Sequence, residues 1–222
     1  MIKGGFAIRH LYASPRFSKD ADLSMASDEL EIAGIPDDLV MPHGLEIVQR
    51  VVGDMAESFK LFIEFWTTEH QRKRIQCDLN SRERPIRLRP PQRRTLTSLF
   101  VDPFPVWAAT LAEVVGEKFF ALIDLRAARI KDIFDLHHVL SQPALQLDPA
   151  ATREVYEALR TRKRKGSPAT GLPTEIEQIA RSYNAEAFWQ DAVGDLLPAP
   201  PSLRETTDEL IELVRSRVLA GA

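Results

Sequence analysis

The sequence predicts an α+β fold, with a mixed β-sheet and flanking helices first and a helical part after them. Short β-prone segments separated by turn residues are confined to the first 108 residues. From residue 109 onward, apolar residues recur at helical spacing. The chain has 222 residues, 44% hydrophobic and 27% charged, which is enough for two small domains with their own cores. We therefore expect one domain over 1–108 and a helical domain over 109–222.

The elements of the first part follow from local patterns. A glycine pair opens a helix, and an apolar and acidic alternation after a Ser-Pro turn indicates a strand. The segment 45–58 has apolar residues three and four positions apart, which is typical of a helix. The two segments after it are aromatic or alternating, which favours paired strands. The expected elements are a strand over 2–3, a helix over 4–12, a strand over 20–25, a loop over 28–43, a helix over 45–58, strands over 59–67 and 74–79 joined by a turn at 69–73, and short strands over 95–100 and 104–107.

The second part reads as a succession of helices. Apolar residues at helical spacing define each one, and segments rich in Gly, Pro and Ser at 166–173 and 197–202 separate the last three. The expected helices cover 111–125, 129–140, 149–164, 173–196 and 202–219. Large aromatic residues are expected in the core, namely Trp66, Trp107, Phe119, Phe120, Phe134 and Trp189.

Composition excludes several classes of protein. No run of 18 apolar residues occurs, so we expect no membrane span. The amino terminus lacks the apolar segment of a secretory signal peptide, and a cytoplasmic location is the natural expectation. The single cysteine, Cys77, excludes an internal disulfide and a Cys-rich zinc site.

Positive charge is concentrated in two places, although the net charge is −3. Nine basic residues lie between Arg72 and Arg94 against two acidic ones, and Arg160 to Lys165 holds five more. Such segregation is expected where a protein binds phosphates, and it also occurs in ordinary solvated loops. We select as candidate RNA-binding residues Arg72, Lys73, Arg74, Arg162, Lys163 and Arg164.

A pair of aspartates near the amino end predicts a metal site. Asp20 and Asp22 are two positions apart in an expected strand, so both belong to one face. Two neighbouring carboxylates repel each other unless a cation lies between them, and Mg²⁺ or Mn²⁺ is bound in this way together with phosphate oxygens. Nucleotidyl chemistry with two metal ions usually requires a third carboxylate from a neighbouring strand. Asp78 is the best candidate, although it could equally pair with a local arginine.

Other residues could complete a nucleotide site. Gly4 and Gly5 open a helix, where backbone amides and the helix dipole favour phosphate, although many glycine pairs are simple turns. Ser18 could offer a hydroxyl to phosphate or serve as a turn residue. In the helical part, Lys118 follows a glutamate within an apolar helix. Its side chain either extends outward to solvent or projects into a cleft toward phosphate.

Asp132 and Asp135 are three positions apart and therefore share a helical face. Asp132 could alternatively be a first-turn carboxylate that complements the helix dipole. His137 and His138 are adjacent, diverge by about 100° on a helix, and lack the spacing of metal ligands. We interpret both histidines as structural.

These motifs together resemble the AbiEii-type nucleotidyltransferases, the toxins of type IV toxin–antitoxin and abortive-infection systems. The family pattern has a Lys-Gly-Gly block, an Arg-Phe-Ser-x-Asp-x-Asp-Leu block, a helix with Glu-Lys, and an Arg-Asp-x-x-Asp-Leu block. This chain has them in the same order, at Lys3 to Ile8, Arg16 to Leu23, Glu117-Lys118, and Lys131 to Leu136. The anchors span about residues 2 to 140, which leaves 141–222 as a variable helical part.

The resemblance implies a polymerase-β-like nucleotidyltransferase core with a helical domain. By matching position, Asp20 and Asp22 would hold Mg²⁺, and Lys3, Gly4, Gly5 and Ser18 would lie at the nucleoside triphosphate. Lys118 would contact phosphate, and Asp132 would complete the catalytic set. Some family members transfer a nucleotide from NTP to the 3′ end of tRNA, which blocks translation. A cognate AbiEi-like antitoxin is the implied partner.

Three features depart from the family pattern. Phe6 replaces a small residue, which would reshape the nucleotide pocket. Lys131 replaces an arginine, so the charge is kept but the planar fork is lost. The sequence starts at the glycine block, whereas family members usually have a few dozen residues before it, so we expect either a trimmed start or a minimal version.

We therefore expect a Mg²⁺-dependent nucleotidyltransferase that acts on RNA, with tRNA as the first candidate. Three alternatives are open at this level: nucleotidylation of a protein hydroxyl, transfer of the γ-phosphate, and nucleotide or RNA binding without chemistry. All of them could use the same acidic and basic residues.

Overall fold

A computed structural model describes residues 1–18, 20–24, 46–55, 58–66, 69–80, 90–97, 102–196 and 198–220. At positions 20, 24, 46–55, 58–61, 63–65, 79, 80 and 127 the description is confined to the backbone. By internal packing the chain divides into two compact units. The first lies within Met1–Leu11, Ser18–Pro85 and Pro91–Ala108, and the second within Tyr12–Phe17, Ile86–Pro90 and Ala109–Ala222.

The first unit combines one helix with two small sheets. Its described elements are α1 (Gly4–Leu11), β1 (Asp20–Ser24), β2 (Glu46–Met55), β3 (Ser58–Trp66), β4 (Arg72–Asn80), β5 (Gln92–Leu96) and β6 (Phe104–Ala108). The larger sheet has the order β1-β4-β3-β2, and β5 pairs with β6. β1 runs parallel to β4, while β2, β3 and β4 form an antiparallel meander. The strands expected over 59–67 and 74–79 are confirmed as the β3–β4 hairpin.

The helix predicted over 45–58 is wrong, because this segment forms β2 and the start of β3. The register between β2 and β3 shifts between Ile47 and Gln49, which is a β-bulge. A bulge inserts one residue and so moves the alternation of a strand out of phase. The apolar residues then recur at mixed spacings that imitate a helix. The β-branched Val48, Val51 and Val52 were the available sign of a strand. The loop predicted over 28–43 lies outside the described residues.

A small apolar cluster holds α1 against the sheets of the first unit. Ile2, Leu96 and Ala108 are buried, and partly buried neighbours including Phe6 and Leu23 pack on them. The short strand predicted over 2–3 is present as single bridges from Ile2 to Leu23 and to Ala108. The strand expected over 95–100 begins earlier, at Gln92.

Two of the aromatic residues expected in the core lie at the surface instead. Trp66 is 42% exposed and Trp107 is 58% exposed. Trp66 is the last residue of β3, and Trp107 lies in the two-stranded sheet of β5 and β6. Neither position has enough surrounding structure to enclose an indole ring. The expectation is confirmed for the four in the helical part, which are Phe119, Phe120, Phe134 and Trp189.

The second unit is helical, with a buried core in which α2 packs on α4, and α7 packs on α3 and α5. Its described helices are α2 (Leu111–Leu125), α3 (Lys131–Leu140), α4 (Pro149–Lys163), α5 (Leu172–Ala180), α6 (Ala185–Val193) and α7 (Leu203–Arg217). A 3₁₀ turn, Arg126–Arg129, joins α2 to α3. Among the helices that the structure describes, none is long and apolar enough to cross a membrane.

The single helix predicted over 173–196 is wrong in one respect, because it divides into α5 and α6. The hydroxyl of Ser182 donates to the Ile179 carbonyl at 2.7 Å, just beyond the end of α5. Asn184 directly precedes α6. Serine and asparagine compete with the helix backbone for hydrogen bonds, which favours an interruption at these positions.

Helix α2 is fixed at its start and by a close approach to α4. Thr110 and Glu113 form a reciprocal capping box at its amino end. A Cβ at Gly116 would lie 2.8 Å from Val155 Cγ1 and 2.9 Å from the Thr152 carbonyl oxygen. Glycine at this position therefore allows the two helices to come close, and it sets the position of Lys118 two residues later.

Candidate active site

The acidic pair of the first unit lies in β1, directly beside the glycine that opens α1. Asp20 and Asp22 occupy alternate positions of β1, which share a face of a strand. The amide of Lys3 donates to the Asp22 carbonyl at 3.0 Å, so the chain entering α1 runs alongside β1. Ser18 lies two positions before the start of this strand.

Gly4 makes an unusually close approach to the carboxylate of Asp22. Gly4 has a φ of +63°, a conformation that favours glycine. A Cβ built on it would fall 2.1 Å from Asp22 Oδ2, which is well inside contact distance. Only a glycine therefore fits here, and it leaves bare backbone against a carboxylate at the start of a helix.

The neighbouring strand brings a further carboxylate to the same level. β1 pairs with β4 in parallel, and Asp22 is in register with Asp78 while Asp20 is in register with Gln76. Asp78 thus lies on the strand next to β1, as the sequence predicted, and its role as a ligand stays a prediction. The amide nitrogen of Gln76 donates to both oxygens of Asp78, at 2.9 and 3.0 Å, and so orients this carboxylate.

These residues suit a hard divalent cation in their chemistry. Aspartates at positions 20, 22 and 78 offer oxygen donors, which Mg²⁺ and Mn²⁺ prefer. The carboxylate of Asp22 lies directly against the backbone of Gly4. Among the described side chains, a set that omits the one at position 20, no three His, Cys, Asp or Glu residues converge as a ligand group. The acidic positions therefore fit the metal by donor type and by strand register.

The second unit contains a buried ion cluster around Lys118. Lys118 Nζ lies 2.6 Å from Asp132 Oδ1 and 2.7 Å from Asp135 Oδ2. The lysine is 3% exposed, and the two carboxylates are 0% and 1% exposed. The side chain of Lys118 therefore does not extend outward to solvent. The spacing of the two aspartates on one face of α3 is confirmed, because both reach the same ammonium.

Two arginines complete the cluster. Arg16, on the segment before β1, binds Asp135 with both arms of its guanidinium, at 2.7 Å from Nε to Oδ1 and 2.6 Å from Nη2 to Oδ2. Arg129 Nε donates to Asp132 Oδ2 at 2.8 Å. Bidentate and charge-assisted hydrogen bonds such as these are stronger than hydrogen bonds between neutral groups. Each carboxylate is thus held by Lys118 and by one arginine.

The charges of this cluster stabilise each other against burial. Burial by itself would raise the pKa of Asp135, but the Lys118 ammonium and the Arg16 guanidinium outweigh it and hold the pKa at about 2. Burial would also lower the pKa of Lys118, whereas Asp132 and Asp135 raise it, and the net direction is upward. Both groups are therefore charged at neutral pH.

Lys131 adds positive charge to the edge of the cluster. Burial lowers its pKa, and repulsion from Arg129 and Arg16 lowers it further. With Lys118, these residues make four cations around two carboxylates. An excess of positive charge in a partly buried place is suited to bind an anion such as phosphate.

Sequence reasoning missed two members of the cluster. Arg16 and Arg129 received no role, although Arg16 stands in the Arg-Phe-Ser block. A sign was available, since two aspartates on one face of an apolar helix need cations when buried.

The histidines have structural partners, as expected: His138 Nε2 lies 2.9 Å from the Tyr12 carbonyl oxygen, and His137 pairs with Glu209.

The candidate RNA-binding residues are all exposed. Arg72, Lys73 and Arg74 begin β4, and Arg162, Lys163 and Arg164 lie at the end of α4 and just beyond it. Of the nine basic residues between Arg72 and Arg94, those at 82, 84, 87 and 89 lie outside the described part of the chain.

A family model described as the nucleotidyl transferase AbiEii toxin of type IV toxin–antitoxin systems matches residues 1–213. Among solved structures, the chain is similar to MenT4, the nucleotidyltransferase toxin Rv2826c of Mycobacterium tuberculosis H37Rv, with a TM-score of 0.69 and 21% identity over 100% of this chain and 75% of that one. It is also similar to JHP933 from Helicobacter pylori, with a TM-score of 0.62 and 16% identity over 97% and 82%. Identities this low show a shared nucleotidyltransferase fold. No curated protein sequence matches significantly.

Proposed function

The chain belongs to the AbiEii family of nucleotidyl transferase toxins, and on this premise we propose that it transfers a nucleotide from a metal-bound NTP to the 3′ end of an RNA, with tRNA as the acceptor that would stop translation. The single observation that carries the proposal is the close approach of Gly4 to Asp22, in register with Asp78. It joins bare backbone at a helix start with aligned carboxylates, which is what a metal-bound triphosphate requires.

The amino-terminal residues have the binding roles. Asp20, Asp22 and Asp78 would hold Mg²⁺ or Mn²⁺, which supplies neutralisation of the charge that develops on the phosphates. The amides at Gly4 and Gly5 and the groups of Lys3 and Ser18 would position the triphosphate. In the reaction, the acceptor hydroxyl forms a bond to the α-phosphorus as the bond to the bridging oxygen breaks, and pyrophosphate leaves.

Lys118 and Asp132 have the remaining catalytic roles in this proposal. An ammonium group has three N–H donors, and two of those of Lys118 are directed at Asp132 and Asp135. In this proposal the third N–H group of Lys118 donates to a phosphate oxygen. Because the two carboxylates keep Lys118 charged and fixed, it would meet that oxygen without losing rotamer entropy.

The proposed cellular setting follows from the family. A type IV toxin is expected to have a cognate antitoxin, and an AbiEi-like protein is the proposed partner of this chain. A cytoplasmic location follows if tRNA is the acceptor. The exposed basic residues would contact the RNA backbone, and RNA binding should then weaken steeply as salt increases.

The test uses labelled nucleotides. The purified chain is incubated with each α-labelled NTP and total tRNA, and then with total protein. The same reactions are repeated with Asp20→Ala and with γ-labelled NTP. Label from the α-phosphate in tRNA that disappears with Asp20→Ala supports the proposal.

The alternatives give different results. Label from the α-phosphate in protein indicates nucleotidylation of a protein hydroxyl. Label from γ-labelled nucleotide alone indicates phosphotransfer. Binding of nucleotide or RNA with no transfer of either label indicates a binding module. Each of these three results contradicts transfer to RNA. Labelling of tRNA that does not respond to salt would contradict the proposed role of the exposed basic residues.

A further inference from the structure

One face of the larger sheet connects the acidic positions to a basic and aromatic surface. In β4, Asp78, Gln76, Arg74 and Arg72 occupy alternate positions and so share a face. The parallel register places Asp20 and Asp22 on the same face, beside Gln76 and Asp78. The face therefore extends from the candidate metal site along β4 to the start of the strand, about 20 Å away at the spacing of a β-strand.

Further along this face lie an exposed tryptophan, a partly buried phenylalanine and two exposed guanidinium groups. Trp66, 42% exposed, is opposite Arg72 in the register of β3 and β4. The guanidinium carbon of Arg74 lies 4.7 Å from the centre of the Phe62 ring, a cation–π contact. The two rings lie on β3 and the two arginines on the adjacent β4. We call them, together with Gln76, the hairpin track.

The same alternation divides the basic cluster that the sequence predicted to bind RNA. Lys73 lies between Arg72 and Arg74 in β4 and therefore belongs to the opposite face, with Ile75 and Cys77. Lys73 is as exposed as its neighbours. Arg72 and Arg74 therefore lie on one face of β4, and Lys73 lies on the other.

We propose that the hairpin track binds the unpaired 3′-terminal segment of the acceptor RNA and directs its end toward Asp22 and Asp78. The proposal rests on the proposed function for the identity of the reacting end. Guanidinium groups meet phosphates, and rings stack on unpaired bases of any sequence. Double-stranded RNA presents no open base faces, so an exposed tryptophan beside arginines fits a single strand best.

A protein partner fits this surface less well. An acidic protein surface would satisfy the arginines but would not need aromatic rings beside them. Binding should therefore depend on both ring and charge.

The experiment measures binding of the full chain to a short fluorescent single-stranded RNA at several salt concentrations, without NTP. The variants are Trp66→Ala, the pair Arg72→Ala with Arg74→Ala, and Arg204→Ala as the control, an exposed arginine of α7 that is not among the candidate RNA-binding residues. We expect Trp66→Ala to weaken binding on the order of tenfold. The arginine pair should weaken it similarly and reduce the salt slope by about 1.4. Arg204→Ala should change it about twofold at most.

Four outcomes overturn the proposal: no RNA binding by the native chain, an equal loss with Arg204→Ala, native binding by Trp66→Ala and by the arginine pair, or variants that bind RNA normally but no longer bind a co-expressed protein partner. Unfolding curves in urea identify a variant that fails to fold, and Trp66→Phe then provides the test, because it keeps a ring and should retain most of the affinity. The proposed function fails separately, if RNA binding follows the expected pattern but α-label is never transferred.

Discussion

Lys118 Nζ lies 2.6 Å from Asp132 Oδ1, and both side chains are buried in the second unit. Removal of one partner from a buried pair leaves a charge without compensation and typically costs about 3–5 kcal/mol. We therefore expect Lys118→Met to lower the free energy of unfolding by about this amount in urea denaturation. Lys165→Met is the matched control, because Lys165 pairs with Asp124 at the surface, where about 1 kcal/mol or less is expected. Equal effects of the two variants would show that the buried cluster is not a stabilising unit.

Acid should weaken the cluster through Asp135. Its pKa falls from 3.8 to about 2 in the folded chain, because the cations outweigh the effect of burial. A depressed carboxyl pKa stabilises the fold above the ordinary value, and this stability is lost as the pH falls from about 4 toward 2. The expected loss is about 2 kcal/mol, measured by urea unfolding at a series of pH values. Asp135→Asn should show a shallower dependence over this range, and an unchanged slope would speak against the assignment.

Gly4→Ala should impair nucleotide binding more than it impairs folding. The positive φ costs on the order of 1–3 kcal/mol with a side chain, and the new Cβ would displace Asp22 Oδ2. We expect affinity for Mg-NTP to fall at least about tenfold, as measured by calorimetry. Gly166→Ala provides the control, since Gly166 also has a positive φ of 79° and a crowded Cβ position beside Ile123. If both variants bind nucleotide equally well, Gly4 has only a backbone role.

Gly116→Ala tests the close packing of α2 on α4. The added methyl would lie 2.8 Å from Val155 Cγ1 and 2.9 Å from a backbone oxygen, which cannot move away as a side chain can. Overpacking of this kind costs about 1–3 kcal/mol, although alanine normally favours a helix over glycine by up to about 1 kcal/mol. A lower melting temperature is the expected sign, and a higher one would mean that the helices separate easily.

Much of the fold could be predicted because local patterns and packing agree. The helix at 111–125 has a capping box at its start and an apolar face, and both its bounds were correct. The β3–β4 hairpin was predicted from alternation. The error at 45–58 arose where a bulge disrupted the alternation, since register is a property of two strands and cannot be read from one.

The candidate site was predictable in its parts but not in its connections. The spacing of Asp132 and Asp135 indicated a shared face, yet only the fold reveals that Arg16, more than a hundred residues earlier, binds one of them. The exposure of Trp66 was likewise hidden, because the sequence of an exposed hairpin tip resembles that of a buried strand. Long-range pairing and edge position depend on the whole chain.

Transfer of α-label to tRNA by the native chain and by Asp22→Asn tests the central claim most directly. Asparagine keeps the shape of Asp22 but removes the charge that would hold the metal, and urea unfolding of the two chains establishes that both are folded. We expect the native chain to label tRNA and the variant to be slower by at least about a hundredfold. Equal rates for the two chains, or no labelled tRNA from the native chain with any of the four NTPs, would contradict the account.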